Sequence, residues 1–532
     1  MKINIRSILL NLFFGVTFLY GQENPNVELP QFVITGKEAY VFPPLEKQKP
    51  ELVSTVSEQF FKPAYSPDEL EVREFSEPAK KSGEFLDSIL FVNGEADFLI
   101  GNNILPSLSL TYRMPMERSL FSANISAVNQ RAYILNAGRN KFAAKLLYNY
   151  VISDSNSFLP FSKLHASAFA ENESYKLFAS PVPGFNRQYF HGNFLASLQN
   201  ISSTKYNYDL TLEDNYLNLK NDSLKENILK VNGYAKFTDK LFDVSLFGKF
   251  HSLSSTFGLL PSERYAFIQA KGIFGFPIGN TLKTNIGFEY SKLDTNKALY
   301  PYASAAFQFE KGFSLFAEYH PTSAMLTQQD FINANRYYTK TAQIKNIFYS
   351  ITSQYSFSLK YEYERMFEIS GGLSFFSTSN YPYFIDTLAA INRFQVGTVE
   401  AKAVSAFARI NLYAGEFGFF TGGIIFQNVR NTSGNSVPYV TPVHANATYG
   451  LFITPEISLS ATMMYYSPSF INFDNPEKRK DYLNLTLKGE MNISEKMFAQ
   501  LELQNILNQK NETWKNYQEL PLSISAGLKI IW

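Results

Sequence analysis

Apolar and polar residues alternate with a period of two over most of the chain, and this pattern most constrains the fold. In the C-terminal stretch LPLSISAGLKIIW, Leu522, Ile524 and Leu528 fall on one face of an extended chain. Ser525 and Lys529 fall on the other face. Because a β-strand places successive side chains on opposite faces, the stretch predicts a strand with one apolar and one polar face. We count roughly 20 such segments from about residue 86 onward, each about 10 residues or more, the length of a membrane β-strand.

The lengths of the connections between these segments favour a membrane barrel over a soluble sheet protein. Working back from the C-terminus, a long connection at 508–521 is followed by short NISEKM, long SPSFINFDNPEKRKD, short ITPE, long VRNTSGNSVPYVTP and short YAGEFG. This alternation is typical of outer-membrane barrels, which have short periplasmic turns and long external loops. A sheet in lipid must also close, because an open edge leaves backbone groups unpaired.

We therefore predict an all-β fold, a transmembrane antiparallel β-barrel of roughly 20–22 strands formed by residues 86–532, with both termini in the periplasm. The pairs Tyr465–Tyr466 and Tyr381–Tyr383 lie toward strand ends. We expect them in the aromatic girdles that flank the apolar band of such barrels.

The N-terminal residues before the barrel divide into two segments. Residues 1–21 are typical of a secretory signal peptide, because Lys2 and Arg6 precede an apolar core too short for a membrane-spanning helix. Residues 22–85 contain Pro43, Pro44, Pro50 and further prolines among mixed charges. That composition predicts a disordered, extended segment in the periplasm.

Charge and residue chemistry exclude several classes of function. The formal net charge of +1 becomes −1 without residues 1–21, leaving 46 basic and 47 acidic residues, and gives no reason to expect a nucleic-acid partner. The absence of cysteine excludes disulfides and thiolate metal sites. No histidine pair has metal-ligand spacing and no nucleophile–base pair stands out, so we predict no catalytic residue, metal site or cofactor. We expect His444 to face the lumen and the mixed-charge run 477–481 to be a solvated loop.

The C-terminal part of the chain, roughly residues 300–532, resembles the barrel of TonB-dependent outer-membrane receptors. The resemblance is carried by the Asn505-Ile506-Leu507-Asn508 step, by Trp514 and Tyr517 in the loop that follows, and by a final strand ending at Trp532. The segment FINANRYYTKTAQIKN stands in the place of the family's Asn-Pro-rich segment, without the proline. The resemblance implies that Trp532 is the signal read by the barrel-assembly machinery.

A short peptide near the N-terminus is similar to the TonB box, the segment that these receptors offer to the energy-coupling protein TonB. It consists of Gln31, Phe32, Val33, Ile34, Thr35 and Gly36. An unpaired β-prone peptide can add a strand to the sheet edge of a partner. A plain periplasmic tail that packs locally is an equally good interpretation of six residues.

One departure from the family bears on function. A plug domain follows the box in the family, whereas here only about 50 proline-rich residues separate Gly36 from the first predicted strand. The missing plug leaves energy-coupled transport open, and the ligand contacts that the plug supplies in the family are not carried over. The resemblance implies a receptor or transporter barrel in the outer membrane of a Gram-negative cell, not an enzyme, that takes up or passes an unidentified solute, with or without TonB coupling. The alternative is a structural or docking barrel that transports nothing and holds a periplasmic protein through residues 22–85. The partners expected are outer-membrane lipids, the barrel-assembly machinery, and TonB or another periplasmic protein.

Overall fold

The structure is a computed structural model that describes residues 92–152, 159, 161–200, 205–310, 312–340, 347–363, 366–386, 392–413, 415, 418–473 and 476–532. The predicted signal peptide, the proline-rich segment 22–85 and the TonB-box-like peptide lie outside the described residues. The barrel was predicted to start near residue 86, and the first described strand begins at Gly94.

About three quarters of the described residues lie in strands. The elements are β1 Gly94–Gly101, β2 Ser107–Met116, β3 Ser119–Gln130, β4 Arg139–Ile152, β5 Ser162–Lys176, β6 Asn186–Asn200, β7 Tyr206–Leu219, a 3₁₀ turn Lys220–Asp222, β8 Leu224–Thr238, β9 Asp243–Phe257, β10 Glu263–Ile278, β11 Leu282–Leu293, β12 Asn296–Glu310, β13 Phe313–Tyr319, β14 Thr322–Leu326, α1 Gln328–Ala334, β15 Ile347–Tyr363, β16 Phe367–Asp386, β17 Phe394–Tyr413, β18 Phe419–Asn431, β19 Val443–Thr454, β20 Ile457–Tyr466, β21 Ser469–Phe470, β22 Lys478–Arg479, β23 Tyr482–Ser494, β24 Met497–Gln504, β25 Glu512–Trp514, β26 Tyr517–Gln518 and β27 Ser523–Ile531.

The strands form one closed antiparallel barrel of 22 strands. β13 and β14 count as a single strand of the wall, because both pair with β15. The last strand, β27, pairs with β1, and the backbones of Gly94 and Trp532 exchange hydrogen bonds of 2.9 and 3.0 Å at this seam. The short hairpins β21–β22 and β25–β26 stand outside the wall. The predicted fold class and strand number are confirmed.

The alternation in the sequence corresponds to the two faces of the wall. In β27, Ile524 and Leu528 are exposed by 45% and 42%, whereas Ser523 and Ser525 are exposed by only 1% and 2%. The apolar side chains therefore cover the outer face, where lipid would lie, and the polar ones face the lumen. No helix of the described residues is long and apolar enough to cross a membrane.

The two ends of the barrel differ in the length of their connections. At one end, the short-turn end, the wall reverses within residues 117–118, 279–281, 455–456 and 495–496. At the other, the long-loop end, the connections include 177–185, 327–346, 432–442 and 505–522. The predicted long–short alternation is therefore present. Gly94 and Trp532 both lie at the short-turn end.

The largest apolar core of the described residues lies at the long-loop end of the lumen. We call it the mouth core; its members include Leu177, Tyr189, Leu217, Phe331, Tyr338, Phe384, Phe394, Trp514 and Tyr517. These side chains come from several strands and connections. The connections therefore pack on one another inside the part of the wall at the long-loop end. This core is the feature of the fold from which the candidate functional site is built.

Candidate functional site: the closed mouth of the barrel

Three connections from separate parts of the wall meet at the long-loop end. Phe178 lies between β5 and β6, Tyr337 lies between β14 and β15, and Tyr517 lies in the hairpin β25–β26, which belongs to the connection from β24 to β27. The rings of Tyr337 and Tyr517 stack with centroids 3.5 Å apart. Phe178 packs edge-on against them at 6.2 and 5.0 Å. The described connections therefore close this end of the lumen with aromatic side chains.

The connection that contributes Tyr337 crosses the lumen, and we call its residues Thr327–Lys340 the inner loop. It leaves the wall at β14, but its contacts are on β5, β6 and β8, with other strands of the wall in between. Its helix α1 begins with a capping box, in which Thr327 and Asp330 satisfy each other's backbone N–H groups. Phe331 and Ile332 of α1 are buried in or beside the mouth core.

Arg187 on β6 fastens the middle of the inner loop. Its side chain is fully buried and forms a bidentate pair with Asp222 of the 3₁₀ turn, at 2.9 and 2.6 Å. The remaining N–H groups donate to the carbonyl oxygens of Arg336 and Tyr338, at 2.8 and 2.7 Å, and to the Thr339 hydroxyl. All five donors of the guanidinium are thus used, which is the condition under which a buried arginine is stable.

Glu226 on β8 fastens the start of the inner loop. Its carboxyl oxygens accept the backbone N–H groups of Gln328 and Gln329, at 3.0 and 3.1 Å, and so satisfy two donors in the first turn of α1. Glu226 lies beyond the apolar band, because the outward neighbours Lys225 and Asn227 on β8 are polar and exposed.

The environment of Glu226 changes its proton affinity. Glu226 is buried, with a relative exposure of 2%. Burial raises its pKa from 4.5 to about 7, although the two backbone donors act in the opposite direction. Asp330, a nearby acid, raises this pKa further, and Lys340 lowers it. Burial also raises the pKa of Asp330 itself, whose capping bonds to Thr327 oppose that shift.

The end of the inner loop is held by an ion pair and by backbone bonds. The Lys340 ammonium lies 2.9 Å from a carboxylate oxygen of Glu263 at the start of β10. The backbone of the loop pairs with the start of β17, where Thr339 donates to the carbonyl oxygen of Phe394 at 2.7 Å. The inner loop is therefore attached to the wall at its start, middle and end.

The hairpin β25–β26 closes the mouth from the opposite side. Trp514 packs on Phe394 and Tyr439 with ring centroids 5.0 and 4.7 Å apart. The Tyr517 hydroxyl donates to the backbone carbonyl of Asn392 at 2.7 Å. This hairpin contains the aromatic loop residues on which the family resemblance was based, and they are structural members of the mouth core.

Two expectations from the sequence are wrong in this region. Tyr381, Tyr383 and Tyr466 do not form an outer girdle: the first two pack against the mouth core and the third is buried against His444. Within the charged run 477–481, Arg479 is buried and donates to the carbonyl oxygen of Thr513 at 3.0 Å. In both cases the connections fold back into the barrel, so residues near strand ends meet protein where solvent or lipid was expected.

The lumen below the mouth core is lined by polar and charged side chains. One cluster joins Lys271, His320 and Glu289, with successive N···N and N···O distances of 3.1 Å, and the Lys271 ammonium lies 3.8 Å from the centroid of the Tyr302 ring. Among the described residues, no group of three His, Asp or Glu side chains is arranged to hold a metal ion. The chemistry of the lumen is therefore that of a wet, hydrogen-bonding wall.

The predicted site residues fall in two places. Gln31, Phe32, Val33, Ile34, Thr35 and Gly36 lie outside the described residues. Trp532 ends the last strand at the short-turn end, with its ring so close to Gly94 that a Cβ there would lie 2.1 Å from it. Its role as an assembly signal stays a prediction.

Sequence reasoning missed the residues that close the mouth. Arg187, Glu226 and Lys340 were not singled out, because isolated charges in alternating strands are ordinary lumen residues. The Thr327–Asp330 pair was the one local signal, since this spacing is typical of a helix start.

Comparison with known proteins finds similar barrel folds among solved structures and no match in sequence. No protein-family model matches the chain, and no curated protein matches it in sequence. The barrel is similar to the ferric-catecholate import receptor Fiu of Escherichia coli K12, with a TM-score of 0.62, 9% identity, and 83% of this chain and 82% of that chain covered. It is also similar to a mutant of the ferric enterobactin receptor PfeA of Pseudomonas aeruginosa, with a TM-score of 0.61, 9% identity and coverage of 82% and 80%. The copper transporter OprC matches with a TM-score of 0.61, 8% identity and coverage of 82% and 80%. At these identities the likeness shows the barrel fold alone.

Proposed function

We propose that this chain is an outer-membrane transporter or receptor barrel of the TonB-dependent type, in which the inner loop controls passage of a solute. The observation that carries the proposal is a 22-strand barrel, similar to an import receptor and a copper transporter, whose own connections close one end of a polar lumen. A barrel that only anchors a partner does not need connections that close one end of its lumen.

The proposal includes an orientation and a set of partners. The short-turn end faces the periplasm, the long-loop end faces outward, and outer-membrane lipids surround the apolar band. The barrel-assembly machinery reads Trp532. Residues 31–36 offer a strand to TonB, and the proline-rich residues after them, up to residue 85, act as a tether; about 50 residues at about 3.1 Å each can reach well over 100 Å.

The test of passage is conductance through a planar bilayer. The full chain should conduct poorly, whereas a variant in which residues 328–338 are replaced by a Gly-Ser linker should conduct as an open pore. The matched control replaces the connection 432–436 with the same linker and should remain closed. If the variant without the inner loop also fails to conduct while its barrel is folded, the lumen is not a solute path.

The test of coupling is a separate experiment. Val33→Pro removes one backbone N–H from the TonB-box-like peptide and should abolish crosslinking of a cysteine at Gln31 to a periplasmic TonB domain. The chain has no native cysteine, so the introduced one is unique. Equal crosslinking of both variants, or of neither, would mean that this peptide is not a coupling element. In that case the docking barrel that holds another periplasmic protein becomes the better proposal.

A further inference from the structure

The barrel wall has a notch on one side of the long-loop end. The part of β12 nearer the short-turn end, its lower part, runs from Ala303 to Glu310 and pairs with β13. The upper part, residues 296–302, pairs with β11, and no described strand pairs with its other edge. The edge of a strand left unpaired in this way presents backbone N–H and C=O groups that need partners.

The strand that would continue the wall is drawn into the lumen. Thr322 at the start of β14 donates to Glu289 of β11 at 2.6 Å. Gln269 of β10 donates to the carbonyl oxygen of Ser323 at 2.9 Å. Because inward side chains of β10 and β11 hold the first two residues of β14, this strand lies behind the wall, and β15 follows it through their pairing.

The other side of the notch is the upper part of β16. Pairing between β15 and β16 ends at Ile351 and Thr378, and residues 381–386 of β16 then pair with β17 only. Asn380 ends this ladder with its side chain, which accepts the N–H of Ser350 at 3.1 Å and donates to the carbonyl oxygen of Phe348. The exposed edges of β12 and β16 carry Pro301 and Pro382. Proline lacks the N–H of the ladder and is tolerated at strand edges, so the sequence is suited to leaving these edges unpaired.

A cavity of about 380 Å³ fills the space between the two edges, and we call it the wall notch. It is lined by Asn296, Lys297, Tyr300, Ser350, Ser379 and Asn380, among others. Lys297 shares the outward face of β12 with Leu299, whereas Tyr300 is on the inward face with the buried Tyr302. The wall notch therefore lies in the plane of the wall, and its lining offers amide, hydroxyl and ammonium groups.

The wall notch stands where the apolar outer surface ends. Toward the short-turn end from it, the ring of Tyr319, at the end of β13, packs 4.8 Å from the ring of Tyr355 in the middle of β15. Beside it, Leu299 is 67% exposed and Phe288 on β11 is 65% exposed. Directly above, the outward Lys292 and Lys297 are opposite each other in the register of β11 and β12. This height corresponds to the boundary between hydrocarbon and headgroups if the barrel spans a membrane.

The two opposed lysines indicate the charge of what binds there. Like charges directly opposite on neighbouring strands destabilise a sheet unless an anion lies between them. No carboxylate of the described residues forms an ion pair with either lysine. We propose that the wall notch binds the anionic headgroup of one membrane lipid, whose hydrocarbon chains lie on the apolar face of β11 and β12. The headgroup phosphate faces the lysines, and its oxygens and hydroxyls meet the unpaired edge of β12.

This inference rests on the proposed location in the membrane. It does not depend on solute transport or on coupling to TonB. Its test is native mass spectrometry of the refolded full chain in a neutral detergent. The probes are dioleoyl phosphatidylglycerol and the neutral dioleoyl phosphatidylcholine. We expect one phosphatidylglycerol to bind at least about 10-fold more tightly than phosphatidylcholine, and Lys297→Gln to remove that preference, since one charge-assisted contact corresponds to roughly a tenfold change.

The matched control is Lys225→Gln, because Lys225 is also outward, exposed and beyond the apolar band, on β8. It should leave the preference intact. Ser379→Trp, which fills the cavity, should weaken binding of both lipids.

The inference is overturned if both lipids bind alike, or if Lys225→Gln acts as Lys297→Gln does. Displacement of the lipid by free glycerol 3-phosphate at equal concentration would show a phosphate site with no lipid specificity and would also overturn it. A heat-modifiable gel shift confirms folding of each variant, and a barrel that fails the conductance test can still pass this one.

Discussion

The attachment of the inner loop by Arg187 gives the most decisive prediction. Arg187→Met keeps most of the side-chain volume but removes all five N–H donors. The substitution leaves Asp222 as a buried carboxylate without its partner and removes the donors to the carbonyl oxygens of Arg336 and Tyr338. Removing one member of a buried ion pair costs about 3–5 kcal/mol. The cost falls on the closed mouth, because both carbonyls and the carboxylate regain water when the inner loop is released.

The assay measures how often the inner loop leaves the wall. Ala334 on α1 is buried, so a cysteine placed there should react with a bulky maleimide only in the released state. A cost of about 3 kcal/mol corresponds to a roughly 100-fold larger released population and an equally faster reaction. The control is Lys283→Met, which breaks a 2.8 Å ion pair with Asp243 elsewhere in the lumen. An unchanged rate in Arg187→Met, or an equal increase in Lys283→Met, would refute the attachment.

Three further predictions concern pH, the outer face and the seam. Because the pKa of Glu226 is about 7 in the closed mouth and near 4.5 when exposed, the closed state binds the proton more tightly and loses stability as the pH rises through 7. Reaction of the cysteine at residue 334, corrected for thiolate content, should thus rise roughly 30-fold between about pH 5.5 and pH 8, and Glu226→Gln should remove this dependence. On the last strand, Leu528→Arg should cost about 2–4 kcal/mol of barrel stability in vesicles, whereas Lys529→Gln should cost far less; equal losses would show that the faces are assigned wrongly. A Cβ on Gly527 would lie 2.2 Å from the carbonyl oxygen of Phe98 across the seam, so Gly527→Ala should lower the yield of heat-modifiable barrel while Gly248→Ala, in open space, should not.

The barrel was predictable because its information is local. A period of two and the spacing of turns are properties of neighbouring residues, and both faces of β27 follow from them. Closure follows from one further physical requirement, that an open edge cannot exist in lipid. The fold could therefore be derived without knowledge of any contact between distant residues.

The closed mouth was not predictable for the opposite reason. The inner loop contains Gln328, Gln329 and Arg336, a polar composition that is typical of an exposed loop. Its burial depends on Arg187 and Glu226, which are more than a hundred positions away in the chain and are indistinguishable from other lumen charges. The wall notch did have a sequence signal, Pro301 and Pro382, because a proline inside an alternating strand indicates an edge strand.

The inner loop and the N-terminal segment join the barrel at opposite ends, and this limits how the mouth can open. The inner loop is attached to β6, β8 and β10 at the long-loop end, whereas the N-terminal segment joins the wall at Gly94, at the short-turn end. In the proposed coupling, we therefore expect tension on residues 22–85 to act on the seam between β1 and β27 and not on Arg187 or Glu226. In the proposed transporter, we expect release of the inner loop to come from a solute that binds the long-loop end, or from loss of the Glu226 proton. A ligand shifts such an equilibrium only by its difference in affinity for the two states, so the solute must bind the open mouth more tightly than the closed mouth. In the proposed transporter, the solute thus opens the outer closure, and any coupling through residues 31–36 acts on a later step at the other end of the lumen.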